Sequence, residues 1–281
     1  MQVEPSRSAV RDFLKSRRAR LRPEDVGLPP GRQRRLRGLR REEVAALAGV
    51  GDTWYGLFES GKRIRVSATM IDRIGAVLRL NDDERDYLRT LVHDDPSADV
   101  DYEHDTVADD VVRTLEAIAT MPAFVIGPRL DYLAVNAVTR ALYRYPARHD
   151  PVFSNMVARM FLSPRAHELY ADWDAAAAHT VSKFRRFYGK HVGNVSFERL
   201  IARLTAESPA FRSLWERHDV AEHHGAVSTS INAAGGVFHF RLQTYAISDA
   251  REQTLVVMLP ETAADHRLLA RGTISQSGEV E

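Results

Sequence analysis

The stretch that most constrains this chain runs from Arg41 to Gly61 and reads REEVAALAGVGDTWYGLFESG. Val44, Leu47 and Ala48 fall at i, i+3 and i+4, one face of a helix, and Glu42 and Glu43 sit in its first turn, where the helix dipole favours negative charge. Gly49 ends that helix. A second short helix is expected over Asp52–Ser60, with Tyr55 and Phe58 turned inward and Gly61 in the left-handed conformation past its end. Two helices joined by so tight a glycine turn must cross steeply, which demands a small side chain where they touch. Ala45, four residues before Gly49, is in the right place. This combination is the sequence form of a helix-turn-helix, whose second helix enters the major groove of duplex DNA.

Charge is segregated along the chain in a way that agrees. From Arg11 to Arg41 there are twelve Lys or Arg against three acids, and from Asn81 to Asp110 twelve acids against two arginines, although the net charge is only +1. Like charges crowded together repel and are normally interspersed, so the basic end calls for a polyanion. Six of the ten residues Arg32–Arg41 are arginine, which reads either as a phosphate-binding arm or as a solvated surface segment.

Around the central pair three further helices are expected. Val10–Leu21 is a basic helix with Phe13 and Leu14 on one side. Ser67 is a plausible N-cap for a helix burying Ile71, Ile74, Val77 and Leu78, and Asn81 with Glu84 makes a capping-box start for one burying Tyr87, Leu88 and Leu91. At 281 residues a single core is exceeded, so two domains are expected: a five-helix DNA-binding domain over 1–92, an acidic linker over 93–108, a second domain over 109–262 and a polar tail over 263–281. With no cysteine, neither a disulfide framework nor a thiolate metal site holds the fold. The polar start Met1–Ser8 and the absence of any run near ~18 apolar residues make a soluble, cytoplasmic protein the expectation, with no membrane partner.

The second domain opens with a helix marked by Val107, Val111, Leu115 and Ile118. Two short strands follow, Phe124–Ile126 and Tyr132–Val135, around a turn at Gly127 and Pro128. A helical block then occupies Ala137–His218. Its clearest member runs from Pro164 to Tyr188, with Leu169, Trp173, Ala177, Val181, Phe184 and Tyr188 on one face. Val227–Ile231, Val237–Ile247 and Thr254–Leu259 read as three strands; in the middle one Phe238, Phe240 and Leu242 alternate with His239, Arg241 and Gln243. The class is therefore α+β, with a small antiparallel sheet covered on one side by helices.

The runs RRARLRPEDVGLPPG and GLRREEVAALAGV, with Trp54–Tyr55 before Glu59 and Gly61, resemble the MmyB-like regulators of the Xre helix-turn-helix group, a lambda-repressor-like fold. The segments FLSPRAHELYADW (Phe161–Trp173) and SPAFRSLWERHDV (Ser208–Val220) resemble the same family's C-terminal ligand-binding domain, a PAS-like fold. The chain departs from the family at Gly51 and Gly56, where hydroxyl residues are usual, and at Arg37, where proline is common, which bears on base preference. The resemblance implies a transcription regulator whose second domain has a long apolar pocket for a fatty acid or similar slender molecule; a homodimer is expected because half-sites on DNA lie one helical turn apart, and no cofactor is expected.

For DNA the candidates are Arg40, Arg41, Asp52, Thr53, Trp54, Gly56, Lys62, Arg63 and Arg65. Asp52, Thr53 and Gly56 occupy outward positions near the start of the second helix; Arg41 is placed for a phosphate or a guanine edge, or for a surface ion pair within its own helix. Asp52 can accept from cytosine N4 but is repelled by phosphates, so a helix-start charge competes as a reading. Trp54 stacks on the basic arm or a sugar, or packs beneath that arm, and Lys62, Arg63 and Arg65 meet phosphates. For the pocket that the resemblance implies, the sequence supplies suitable apolar lining in Phe153, Met156, Met160, Phe161, Trp173, Phe184, Phe238 and Phe240, all of which also read as ordinary core. Asn136 and Arg185 are the candidates to hold a ligand carboxylate. His218, Asp219, Glu222, His223 and His224 cluster without the spacing of a helical zinc site, and no catalytic set can be assembled. Two rival readings remain: a C-terminal domain that only dimerises or recruits a partner, and an enzyme with accessory DNA binding.

Overall fold

The computed structural model describes residues 5–29, 38–62, 64, 66–93, 102, 105–145, 150, 152–220, 227–233, 236–248, 250, 252–267 and 269. The chain forms two compact units. The first comprises 1–100 together with 185–198 and 213–223; the second comprises 101–184, 199–212 and 224–281.

In the first unit, α1 (Pro5–Arg20) is followed by a 3₁₀ turn at Pro23–Val26, then α2 (Arg41–Ala48), α3 (Asp52–Glu59), α4 (Ala68–Val77) and α5 (Asp82–His93). Each boundary has a local cause. Gly49 ends α2 with φ 65°, and Gly51 caps α3 in an extended conformation. The Ser67 hydroxyl accepts from Met70 N at 3.3 Å to start α4. Asn81 and Glu84 satisfy one another's backbone N–H at 2.8 and 3.1 Å, the expected capping box. Gly61 has φ 74°, and a Cβ there would lie 2.5 Å from the carbonyl oxygen of Arg7, so no other residue fits.

The core of this unit joins Phe13 and Leu14 to Val44, Ala45, Ala48, Tyr55, Phe58, Ile71, Ile74 and Leu88. Ala45 is buried at 1% exposure, as close packing of α2 against its neighbours requires. Val192 and Val220 belong to the same apolar cluster, so two short segments from late in the sequence complete this core. Polar contacts hold them. Arg17, almost fully buried, pairs with Glu84 at 3.0 Å and donates to the His218 carbonyl, while Arg20 pairs with Asp219 at 2.7 Å.

The second unit is built on an antiparallel sheet of β1 (Ala123–Ile126), β2 (Tyr132–Val135), β3 (Val227–Ala233), β4 (Gly236–Ala246) and β5 (Thr254–Pro260), in the order β2-β1-β5-β4-β3. Phe124 pairs with Val135 on one side and Val256 on the other, which places β1 inside the sheet and buries all four of its residues. Leu115 of α6 (Asp109–Ala117) packs with Ala123, Val125 and Val257, whereas the opposite-facing Phe124 meets the ring of Tyr132 at 5.1 Å.

Between β2 and β3 come α7 (Ala137–Leu142), α8 (Met156–Leu162), α9 (Ala166–Leu169), α10 (Trp173–Lys190), α11 (Val195–Glu207) and α12 (Pro209–Glu216). The single helix expected from Pro164 to Tyr188 is in fact two. Tyr170 is extended (φ −97°, ψ 125°) and bridges Ile231 of β3, and Ala171 N donates to the Ser230 carbonyl at 3.1 Å. Pairing with a sheet edge outweighs an uninterrupted helical pattern. Of the stretch expected as a linker, residues 94–101, 103 and 104 lie outside the described residues; Asp105 and Thr106 are bound by Gln253 at 3.1 and 2.9 Å. Residues 268 and 270–281 of the expected tail also lie outside them, while 263–267 form a helical turn capped by Thr262 and Asp265. No described helix is long and apolar enough to cross a membrane.

Candidate functional site

Two sites emerge, one in each unit. In the first, Tyr55 and Phe58 are buried, so α3 turns the opposite face outward: Asp52 and Thr53 are exposed, Gly56 is half-buried and Leu57 is 40% exposed. Leu57 was missed in the sequence, although its position four residues after the expected Thr53 puts it on the same face. Trp54 is half-buried with its ring 5.4 Å from that of Phe58, which agrees with packing more than with a free stacking surface. Arg40 and Lys62 are exposed. Arg63 and Arg65, with residues 32–37 of the basic arm, lie outside the described residues.

Arg41 is held in a way spacing did not suggest. Its Nε donates to Oε2 of Glu59, a carboxylate with no solvent exposure, while Arg18 Nε donates to Oε1 of the same group at 2.6 Å. Arg18 also donates to the Leu39 carbonyl at 2.5 Å. The partner of Arg41 is thus the last residue of α3, not an acid of its own helix, and the buried carboxylate ties together α1, α2 and α3. The Arg41 side chain remains 45% exposed, so its orientation is fixed while much of it stays accessible. Burial and the neighbouring Glu59 charge push the Tyr55 hydroxyl above its usual range.

In the second unit a cavity of about 260 Å³ is bounded by Tyr143, Arg144, Phe153, Arg159, Ser163, Arg165, Glu168 and Tyr170, together with Ala166, Leu169, Asn232 and Ala233. Its most buried cation is Arg159, on α8. That helix is pinned by Asn155, whose Oδ1 accepts from Val157 N and Ala158 N at 2.9 and 3.0 Å and whose Nδ2 donates to Asp131 at 2.8 Å. One turn later Arg159 Nη2 donates to the hydroxyls of Tyr132 (2.5 Å) and Tyr170 (3.2 Å), and the guanidinium lies 4.0 Å from the centre of the Tyr143 ring. Burial raises the hydroxyls of Tyr143 and Tyr145 above their usual range, the latter to about 12, so both are neutral near pH 7.

Of the residues expected to line a ligand site, Phe153 borders this cavity. Met160, Phe184, Phe238 and Phe240 are buried side chains, the last two with rings 6.1 Å apart and nearly parallel. Met156, Phe161 and Trp173 are half-buried; Phe161 lies between Trp173 and Phe211, and Trp173 Nε1 donates to the Met160 carbonyl at 3.2 Å.

The two residues expected to hold a carboxylate are otherwise engaged. Asn136 caps α7: its Oδ1 accepts from Thr139 N and Ala123 N, and its Nδ2 donates to the carbonyls of Ile118 and Met121, which fills its hydrogen-bonding capacity. Arg185 belongs to the first unit. There it stacks 3.8 Å over the Trp215 ring, donates to the Trp215 carbonyl and sits 3.1 Å from His218 Nδ1. Arg159, which sequence reading passed over, has no signal in local spacing; its burial is a property of the folded chain. Of the histidine-rich cluster, Asp219 is paired with Arg20 and Arg217, and Glu222, His223 and His224 lie outside the described residues.

Comparison with known families gives two matches. Residues 31–88 match a helix-turn-helix domain, and residues 107–271 match the MmyB-like transcription regulator ligand binding domain. No curated protein matches the chain.

Proposed function

The chain belongs to the MmyB-like transcription regulator family, a ligand-responsive class of DNA-binding proteins, and from that premise we propose that α3 reads duplex DNA under control of a fatty acid or a similar slender apolar molecule bound by the second unit. The observation that carries the DNA half is the outward face of α3, with Thr53 and Leu57 presented by buried Tyr55 and Phe58. Thr53 offers a donor and an acceptor to base edges, and Leu57 suits a thymine methyl group. Arg41, oriented through Nε by Glu59, has its Nη nitrogens to offer a phosphate or the guanine O6/N7 edge. Arg40, Lys62, Arg63 and Arg65 position the protein on phosphates, and Asp52 and Gly56 set how closely the helix approaches.

The antiparallel sheet, with its helices inserted between β2 and β3, supports the PAS-like reading of the sensor. Control requires the ligand to bind the DNA-competent and DNA-incompetent arrangements with different affinity. A homodimer placing two α3 helices on half-sites one helical turn apart gives such a ligand a spacing to alter. The protein acts in the cytoplasm as a regulator and not as an enzyme.

Selection from random duplexes, repeated with and without candidate fatty acids, tests this reading. With roughly six phosphates neutralised, log K falls with log salt at a slope near −5. A slope near zero refutes the electrostatic part. An Arg41→Ala, Thr53→Ala double variant that folds but keeps its sequence preference refutes the proposed reading face.

A further inference from the structure

A buried cation normally has a counter-charge, because the low-dielectric interior penalises an uncompensated one. Arg129 illustrates the rule, gripping Asp131 through two nitrogens at 2.7 and 3.0 Å. Arg159 departs from it. The residue is 2% exposed, and among the described residues no carboxylate forms an ion pair with it. Its Nε and Nη1 have no hydrogen-bond acceptor among those residues. Tyr143 and Tyr145 beside it supply no charge, since burial holds their hydroxyls in the neutral form. Asp131, next in the chain to Tyr132, is occupied by Arg129 and Asn155. A guanidinium does not shed its proton in a protein, so the positive charge stays.

The same arginine borders the cavity, whose wall, among the described residues, carries Arg144, Arg159 and Arg165 against one acid, Glu168. We propose that this cavity is the seat of a small organic acid, its carboxylate paired with the Arg159 guanidinium and its body lying against Tyr143, Phe153 and Tyr170. Size follows from volume. With about 30 Å³ per water in the liquid, a cavity of about 260 Å³ holds a ligand of roughly ten non-hydrogen atoms. The proposal deepens the sensor reading above and rests on it.

Calorimetric titration of the full-length protein, freed of bound lipid, with octanoate, benzoate, palmitate and neutral 1-octanol tests the assignment. Octanoate or benzoate is expected to bind about 10- to 100-fold tighter than octanol, the span expected of a charge-assisted hydrogen-bonded pair. Whichever acid is preferred identifies an aliphatic or an aromatic body. Arg159→Met is expected to remove that preference and, in the absence of ligand, to unfold no earlier than the parent, because methionine fills the site without a buried charge. If Arg159 serves only to hold the tyrosines, Arg159→Met lowers the unfolding midpoint and leaves the ratio of acid to alcohol affinity unchanged, which overturns the proposal. Should Arg159→Met fail to fold, the ratio measured on the parent protein decides alone. Octanol bound as tightly as the acids, or no acid bound, overturns the anion site; palmitate bound more tightly than octanoate overturns the size. Octanol altering DNA retention as strongly as octanoate leaves the sensor reading standing while the carboxylate assignment falls.

Discussion

Removing the Glu59 carboxylate is the sharpest test of how the proposed DNA-reading face is held. Glu59 has no solvent exposure and receives Arg18, 16% exposed, and Arg41, 45% exposed. Breaking a buried pair by deleting one partner costs about 3–5 kcal/mol, because the remaining charge is left without compensation. Here that penalty falls mainly on Arg18, which keeps only the Leu39 carbonyl, whereas half-exposed Arg41 regains water. Glu59 keeps Arg18 when half-exposed Arg41 is lost, so Arg41→Ala is expected to destabilise by about 1 kcal/mol and Glu59→Ala by about 3–4 kcal/mol. At a urea dependence of about 1–3 kcal/mol per molar, Glu59→Ala lowers the midpoint of the first unit by roughly 1–4 M. With two units the whole-chain transition is not two-state, so the readout is hydrogen exchange of the α1 and α3 amides in urea. Unchanged protection of α3 in Glu59→Ala, or a larger loss from Arg41→Ala than from Arg18→Ala, would refute the clamp.

Gly56 lies inside α3, and a Cβ there meets nothing within 4 Å. Gly56→Ala is therefore expected to raise thermal stability by about 0.5–1 kcal/mol while altering the DNA sequences selected, since the added methyl stands on the proposed reading face. Burial, and then the neighbouring Arg185 charge, lower the His218 pKa from 6.5 to about 4; Arg17 and Arg20 act in the same direction and Asp12 opposes them. The unfolded chain takes this proton first as pH falls, so the stability tied to neutral His218 is complete above about pH 6.5 and lost on the way down to about 4. At about 1.4 kcal/mol per unit and with partial exposure, the loss is roughly 2 kcal/mol, and His218→Gln should flatten that part of a stability-against-pH curve. Asn136→Ala removes four hydrogen bonds and a helix cap, and a loss of about 2–3 kcal/mol in chemical denaturation is expected with octanoate affinity unchanged.

What could be read directly from the sequence is what is written within one or two turns of chain. Gly49, Gly61, Ser67 and the Asn81–Glu84 pair mark helix ends because each acts on backbone groups a few residues away. The inward set of Tyr55 and Phe58 and the alternation around Phe238 and Phe240 follow from the periods of helix and strand. Partners are another matter. Glu59 looks like an ordinary acid at a helix end until α1 brings Arg18 to it, 41 residues away in the chain. Tyr170 belongs to a helical pattern until β3 offers it a strand edge, and Val192 and Val220 enter the first unit's core from late segments. Asn136 and Arg159 differ from expectation for the same reason: one meets its hydrogen-bonding needs within the backbone around it, and the other ends in a cavity wall without a counter-charge among the described residues. Periodicity fixes which face a side chain occupies, but whether its polar atoms are satisfied depends on residues far along the chain that only the tertiary fold brings near.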